Sequence, residues 1–193
     1  ILELKSYLPL SLQLWLITFL SSLTLILTPT LVSIFFSLQD LGILTFAISS
    51  FALASSLTDP IGKGLSRKIL FESGSKNRQD TKEYLSRPLV LFLLSISLVY
   101  GIVFFLFEFL ISNFLDDFVA SVQLMKVLFF ANIFYYSTLI PSIILNSLNR
   151  QAERIRLFTL SLIVNVLLSY IIITNDQNLL YMVYSMTISF FIL

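Results

Sequence analysis

Three charged residues, Asp59, Lys63 and Arg67, follow one another at intervals of four positions in the sequence. In an α-helix this spacing places their side chains on one face. Lysine and arginine bind phosphate oxygens, so one hypothesis is a site for an anionic substrate. The more ordinary interpretation is that the cations anchor a membrane helix, with Asp59 capping a helical extension that begins at Pro60. The sequence leaves both interpretations open.

Four amide side chains lie within long apolar segments and are further candidates for substrate binding. Asn132 and Asn165 are expected about 12 Å into their helices, near mid-depth, while Gln13 and Asn146 are expected at shallower positions. An amide inside lipid has no water to bond, so it needs a partner in the protein or a ligand. These amides could hold hydroxyl groups of a ligand, although hydrogen bonding between helices is the commoner use of asparagine in membranes.

One further carboxylate, Glu108, falls in the last turns of an apolar segment. It is expected about 30 Å along the helix from Pro88, which places it near the outer membrane interface. Its expected role is an ion pair with Lys126, for which Asp116 and Asp117 are competing acidic partners. A role of Glu108 in transport is the alternative.

Several kinds of chemistry are disfavoured by composition. The chain has no cysteine and no histidine, so thiolate nucleophiles, imidazole bases and the commonest metal ligands are missing. We therefore expect no enzyme activity, no bound metal and no cofactor. A net charge of +1 and a pI near 8.1 also argue against nucleic-acid binding, which requires a dense basic face.

Composition instead indicates a membrane protein. Hydrophobic residues make up 57% of the chain and charged residues 12%, against about 25% charged in an ordinary soluble domain. The mean hydropathy is +0.93. Because a membrane helix needs about 20 residues, 193 residues leave room for six crossings and little else.

The positions of the positive charges predict how these helices cross the membrane. Of the twelve Lys and Arg residues, all except Lys126 fall near the N-terminus or in every second gap between apolar segments. Cytoplasmic loops retain Lys and Arg, whereas short exported loops lose them. The pattern therefore predicts a multi-pass protein of the cell membrane whose first helix begins on the cytoplasmic side.

The predicted fold is all-α, a bundle of six transmembrane helices that forms a single domain over residues 1–193. We expect a kink at Pro29, a polar loop or surface helix over residues 72–87, and a helix start at Pro88. The first residue is Ile1 and the last residues are still apolar, so we expect a fragment of a longer chain. The predicted helices cover residues 8–37, 41–58 with an extension to 71, 88–111, 124–148, 157–174 and 179–193.

Several short motifs along this order of helices resemble a known family. They are Leu8-Pro9-Leu10, Leu41-Gly42 with Ala47, Pro60 followed by Ser66-Arg67, the polar stretch before Pro88, Asn149-Arg150-Gln151, and Ile163-Val164-Asn165. Together they resemble one six-helix lobe of the multidrug/oligosaccharidyl-lipid/polysaccharide exporter superfamily, and the loop lengths are most similar to polysaccharide or O-antigen flippases. The chain departs from the family in residues 175–178, which contain no glycine.

The resemblance implies a transporter that flips a lipid-linked oligosaccharide across the cytoplasmic membrane by alternating access. Its partners would be membrane lipids, this substrate and a second six-helix lobe of the same full-length chain. One alternative is a cation-coupled multidrug antiporter of the same superfamily, which should need an acid embedded in the membrane. None of the eleven acids is expected clearly at mid-depth, so the flippase is preferred. A non-transporting scaffold or an intramembrane enzyme is the remaining alternative.

Overall fold

The computed structural model describes residues 2–75, 81–138, 141–143, 145, 150–175 and 178–192, and these contain helices but no strand. This confirms the predicted all-α class. A short 3₁₀ turn, Asp116–Phe118, precedes the fourth helix, and residues 141–143 and 145 are also helical. The six helices are α1 (Leu2–Phe35), α2 (Leu38–Ser75), α3 (Thr81–Phe114), α4 (Val119–Ser137), α5 (Gln151–Asn175) and α6 (Leu179–Phe191).

The connection between α1 and α2 is a tight turn with a local cap. The side chains of Ser37 and Asp40 hydrogen-bond each other at 2.6 Å. The Asp40 amide also donates to the Ser37 hydroxyl, and the Ser37 amide donates to the Asp40 carboxylate. This reciprocal arrangement satisfies backbone donors at the start of α2, where the negative charge of Asp40 also complements the helix dipole.

Pro29 and Pro60, where the sequence suggested a kink and a capped helix start, both lie inside continuous helices. α2 runs through Pro60, so the interpretation of Asp59 as the cap of a helical extension is wrong. α1 likewise continues through Pro29. Beside it, the hydroxyl of Thr30 donates to the carbonyl of Ile26, whereas the buried hydroxyl of Thr28 has no partner. A broken helix would expose backbone polar groups to lipid, which favours continuity at both prolines.

The loops are shorter than the sequence predicts. α2 extends to Ser75 and α3 begins at Thr81, not at Pro88, so most of the polar stretch 72–87 continues these two helices. On the opposite side, α3 ends at Phe114 and α4 begins at Val119. The gap between the predicted helices 88–111 and 124–148 is therefore reduced to a few residues, and Asp116 and Asp117 lie at the N-terminal end of α4, where the helix dipole favours them.

Helix α4 occupies the centre of the bundle. It packs against α2, α3 and α6, while α5 packs against α1 and α6. The core between these helices is filled by fully buried apolar side chains, among them Leu44, Ile96, Met125 and Met182. α4 thus contacts helices on three sides, and its polar residues Ser121 and Asn132 are fully buried.

The outer surface of the bundle is apolar. Large exposed side chains such as Leu94, Leu98 and Phe105 cover the outward face of α3, and the other long helices carry similar residues. Five segments are long and apolar enough to cross a membrane: Ser11–Phe35, Leu38–Gly64, Val90–Phe114, Asp116–Ile143 and Gln151–Asn175. α6 is a shorter apolar helix of 13 residues. The chain is thus a multi-pass membrane protein, as predicted.

Candidate functional site

A cluster of polar side chains lies inside the bundle where α2, α3 and α4 meet. We call it the central cluster, and it consists of Ser55 and Asp59 on α2, Tyr100 on α3, and Asn132 and Tyr136 on α4. Asn132 is fully buried and Tyr100 is 2% exposed. The polar groups of these two buried side chains therefore depend on their neighbours for hydrogen bonds, whereas Asp59 is exposed.

The register of the two parallel helices α2 and α4 produces this arrangement. Ser55 faces Asn132, with the amide nitrogen 3.4 Å from the serine hydroxyl. One turn further along both helices, the hydroxyl of Tyr136 donates to Asp59 Oδ1 at 2.5 Å. Side chains four residues apart share a helix face, so each helix presents two consecutive polar groups to the other.

Tyr100 connects Ser55 and Asn132 of the cluster to α3. Its hydroxyl lies 2.9 Å from that of Ser55, and the amide nitrogen of Asn132 donates to it. The Ser55 hydroxyl also bonds the Phe51 carbonyl at 3.0 Å. The ring of Tyr100 packs edge-on against Phe129, which fixes its position in the core. Three helices are therefore joined by one continuous set of hydrogen bonds.

A cavity of about 350 Å³ opens beside the central cluster. Its walls come from four helices and carry three kinds of side chain. The polar ones are Ser55, Ser56, Asp59 and Asn132, the aromatic ones are Phe51, Tyr135, Tyr136 and Phe190, and the small or aliphatic ones are Leu25 and Ala52. We call this space the central cavity. An opening lined by a carboxylate within an apolar bundle is a candidate ligand site.

Asp59 lies inside a membrane-spanning segment and not beyond its end. The segment Leu38–Gly64 contains it, about 8 Å along the axis from Gly64. Lys63 and Arg67 follow on the same helix face about 6 and 12 Å further along, and both are exposed. Although Lys63 is one turn from Asp59, the two side chains form no ion pair in the described part of the chain.

Asn165 belongs to a different cluster. It is fully buried on α5, where its side-chain oxygen accepts hydrogen bonds from Ser169 and from Ser185 of α6. Its amide nitrogen donates to the Thr24 carbonyl of α1 at 3.5 Å. The hydroxyl of Ser161 also bonds the Ser189 carbonyl across the same helix pair. These contacts tie α1, α5 and α6 together, which is the structural role expected of a membrane asparagine.

The remaining candidates from the sequence are dispersed. Gln13 is half-buried on α1, about 18 Å along that helix from the cavity residue Leu25, and Asn146 lies outside the described residues. The structure thus brings Asp59 and Asn132 together, with Lys63 and Arg67 on the extension of the same helix. It separates Gln13 and Asn165 from them.

The predicted pairing of Glu108 with Lys126 is confirmed. The lysine nitrogen lies 3.4 Å from Glu108 Oε1 and 5.7 Å from the centre of the Phe104 ring. Both charged side chains are partly exposed, so the pair contributes little to stability. Lys126 also lines a second cavity of about 250 Å³, which shares Tyr100 with the central cluster.

Sequence reasoning missed the two tyrosines and Ser55. The four-residue spacing between Ser55 and Asp59, and between Asn132 and Tyr136, was a usable signal for two polar helix faces. Tyr100 has no such neighbour. Within the described residues, no group of three or more acidic side chains could hold a metal ion.

Comparisons with protein-family models, with curated proteins and with solved structures found no match for this chain.

Proposed function

We propose that this chain is one six-helix lobe of a membrane transporter that flips a lipid-linked oligosaccharide across the cytoplasmic membrane by alternating access. The observation that carries the proposal is the central cavity. It lies within an apolar bundle, and its polar wall continues along α2 to the exposed Lys63 and Arg67. A polar opening inside a membrane protein is costly unless a ligand or water uses it.

The two ends of this α2 face suit two parts of such a substrate. The exposed cations would attract the phosphate groups that join the lipid to the sugar. The amide and hydroxyl groups of the central cluster are donors and acceptors of the kind that sugars require. With the orientation predicted by the positive charges, Lys63 and Arg67 lie at the cytoplasmic side, where the substrate would be collected.

A second lobe is part of this proposal. Alternating access requires two bodies that rock about a shared cavity near the midplane. Asp59 is exposed in this chain although it lies inside a membrane-spanning segment. An exposed carboxylate facing lipid is expensive, whereas one that faces a second lobe across a wet cleft is not. We therefore assign the Asp59 face of α2 to the cleft between the lobes.

The test replaces the two cations of α2 in the complete gene. Lys63→Gln combined with Arg67→Gln should abolish export of surface glycan in a strain that lacks its own flippase. The matched control exchanges the cations, as Lys63→Arg with Arg67→Lys, and should retain most of the export because both charges remain. Normal export by the neutral variant, at normal membrane levels, would exclude phosphate recognition by these residues.

A cation-coupled multidrug antiporter is the second candidate, and one observation favours it. Asp59 is an acid inside a membrane-spanning segment and contacts a cavity, which is the feature that this class requires. Export of a cationic dye that is lost in Asp59→Asn, with surface glycan unaffected, would support this candidate over the flippase.

A further inference from the structure

The ion pair between Glu108 and Lys126 lies inside two membrane-spanning segments, Val90–Phe114 and Asp116–Ile143. Glu108 is about 9 Å along the axis from the end of α3, and Lys126 is about 10 Å from the start of α4. Both side chains are partly exposed at the surface of the bundle. Charged groups this far inside a membrane are costly unless water or lipid headgroups reach them. Because a partly exposed pair adds little to stability, its placement requires another explanation.

The second cavity begins at this pair and continues toward the middle of the membrane. Its lining residues extend on α3 from Phe104 back to Ser97, and on α4 from Lys126 on to Ile133. Each range covers about two helical turns. Because α3 and α4 are antiparallel, both ranges lead away from the ion pair in the same direction. The cavity of about 250 Å³ is therefore a groove between two helices with a cation at one end.

Away from Lys126, the second cavity presents apolar surface. The aromatic rings of its wall belong to Tyr100, Phe104, Phe129 and Phe130. The Tyr100 hydroxyl is bonded into the central cluster, and the Ser97 hydroxyl donates to the Leu93 carbonyl of its own helix at 2.8 Å. Gly101 leaves the middle of the groove open, since a Cβ atom there would meet no other atom within 4 Å. Such a groove suits a hydrocarbon chain and requires no polar ligand along its length.

The two charges follow the groove in the order in which charges occur in a zwitterionic phospholipid. Lys126 is part of the wall, whereas Glu108 lies one turn of α3 beyond Phe104, toward the end of the helix. A lysine ammonium has three donors and a carboxylate accepts several hydrogen bonds, so each can bind a further group while they remain paired. In phosphatidylethanolamine the acyl chain is followed by a phosphate and then by a primary ammonium group. Groove, cation and anion thus match chain, phosphate and ammonium.

We propose that the second cavity binds an acyl chain of a phosphatidylethanolamine molecule, whose phosphate accepts from Lys126 and whose ammonium group donates to Glu108. Lysine alone would favour any anionic lipid, and the neighbouring carboxylate adds the preference for a headgroup that also carries a donor. The occupant is a lipid of the surrounding membrane and not a transported molecule. The central and second cavities have no lining residue in common, so this site does not depend on the proposed function.

The test is native mass spectrometry of the purified protein in detergent, with added phosphatidylethanolamine, phosphatidylcholine or phosphatidylglycerol of identical acyl chains. We expect phosphatidylethanolamine to bind at least fivefold more tightly than phosphatidylcholine, whose methylated ammonium has no N–H, and than phosphatidylglycerol, which has no ammonium. Lys126→Gln removes the phosphate partner and Gly101→Leu fills the groove, so each should weaken binding at least fivefold. Gly42→Leu, at another open helix position, is the matched control and should bind like the unmodified protein.

A charge-reversed variant separates lipid binding from folding. Glu108→Lys with Lys126→Glu keeps an ion pair but places a carboxylate beside the lipid phosphate, so binding should fall at least fivefold at an unchanged unfolding temperature. Lys126→Arg keeps the cation and should retain binding. Equal binding of the three lipids, a preference for phosphatidylglycerol, or unchanged binding in Lys126→Gln would overturn the inference. A lipid-free dimer that Gly101→Leu dissociates would assign the groove to a second copy of the chain and overturn it as well.

Discussion

The hydroxyl of Tyr136 donates a 2.5 Å hydrogen bond to Asp59 Oδ1, across the contact between α4 and α2. The two residues are 77 positions apart in the sequence, yet their side chains share the wall of one cavity. This bond ties α4 to a carboxylate that lies inside a membrane-spanning segment of α2. It is also the contact by which the central cluster can be tested most directly.

The Tyr136 to Asp59 bond should appear as coupling in a double-mutant cycle. Tyr136→Phe and Asp59→Ala each remove one partner, and their effects on the free energy of unfolding in detergent should be non-additive by about 0.5–2 kcal/mol. The control pairs Asp59→Ala with Tyr135→Phe, the neighbouring tyrosine. If the effects of the first pair add to within about 0.3 kcal/mol, the bond does not contribute to the free energy of unfolding.

The cluster around Asn165 should affect stability and not ligand binding. Asn165→Leu removes the oxygen that accepts from Ser169 and Ser185. We expect a loss of about 1–2 kcal/mol in the free energy of unfolding, because both hydroxyls lose an acceptor in a dry interface. Export of surface glycan by the folded protein should be unchanged, because Asn165 lies outside the central cavity. A selective loss of export without loss of stability would contradict the structural role.

The ion pair between Glu108 and Lys126 should be nearly neutral energetically. Both side chains are partly exposed, so Lys126→Gln should change the free energy of unfolding by less than about 1 kcal/mol. The charge-reversed pair, Glu108→Lys with Lys126→Glu, should restore the stability lost in either single reversal. The unfolding temperatures of these variants can be measured in low and in high salt. Because salt screens the charges, the difference in unfolding temperature between single and double reversals should be smaller in high salt.

The orientation of the helices can be tested because the chain has no cysteine. The two variants are Ser75→Cys, at the end of α2, and Asn175→Cys, at the exposed end of α5. The positive charges predict that a membrane-impermeant thiol reagent labels the α5 variant in intact cells and the α2 variant only after lysis. The reverse pattern of labelling would invert the proposed topology.

Membrane character and the number of helices follow from the sequence alone, because hydropathy and helix length are local properties. The ion pair between Glu108 and Lys126 was also predictable. Of the twelve Lys and Arg residues, Lys126 is the one that the charge pattern places at the outer side of the membrane. The predicted positions of the helix ends were less accurate. Pro60 suggested an interruption, yet α2 continues through it, because lipid disfavours the unpaired backbone groups that a break would expose.

Tertiary structure alone decided which polar residues meet. Helices that are apolar on nearly every side carry no pattern that indicates which face is turned inward. The rotation of α2 and α4 about their axes, and their parallel register, therefore came from packing against α3 and α6. That packing joins Asp59 with Tyr136 and Asn132 with Tyr100, and it joins Asn165 with Ser185 in a separate cluster. Each contact depends on side chains from different helices, which no single segment of sequence could reveal.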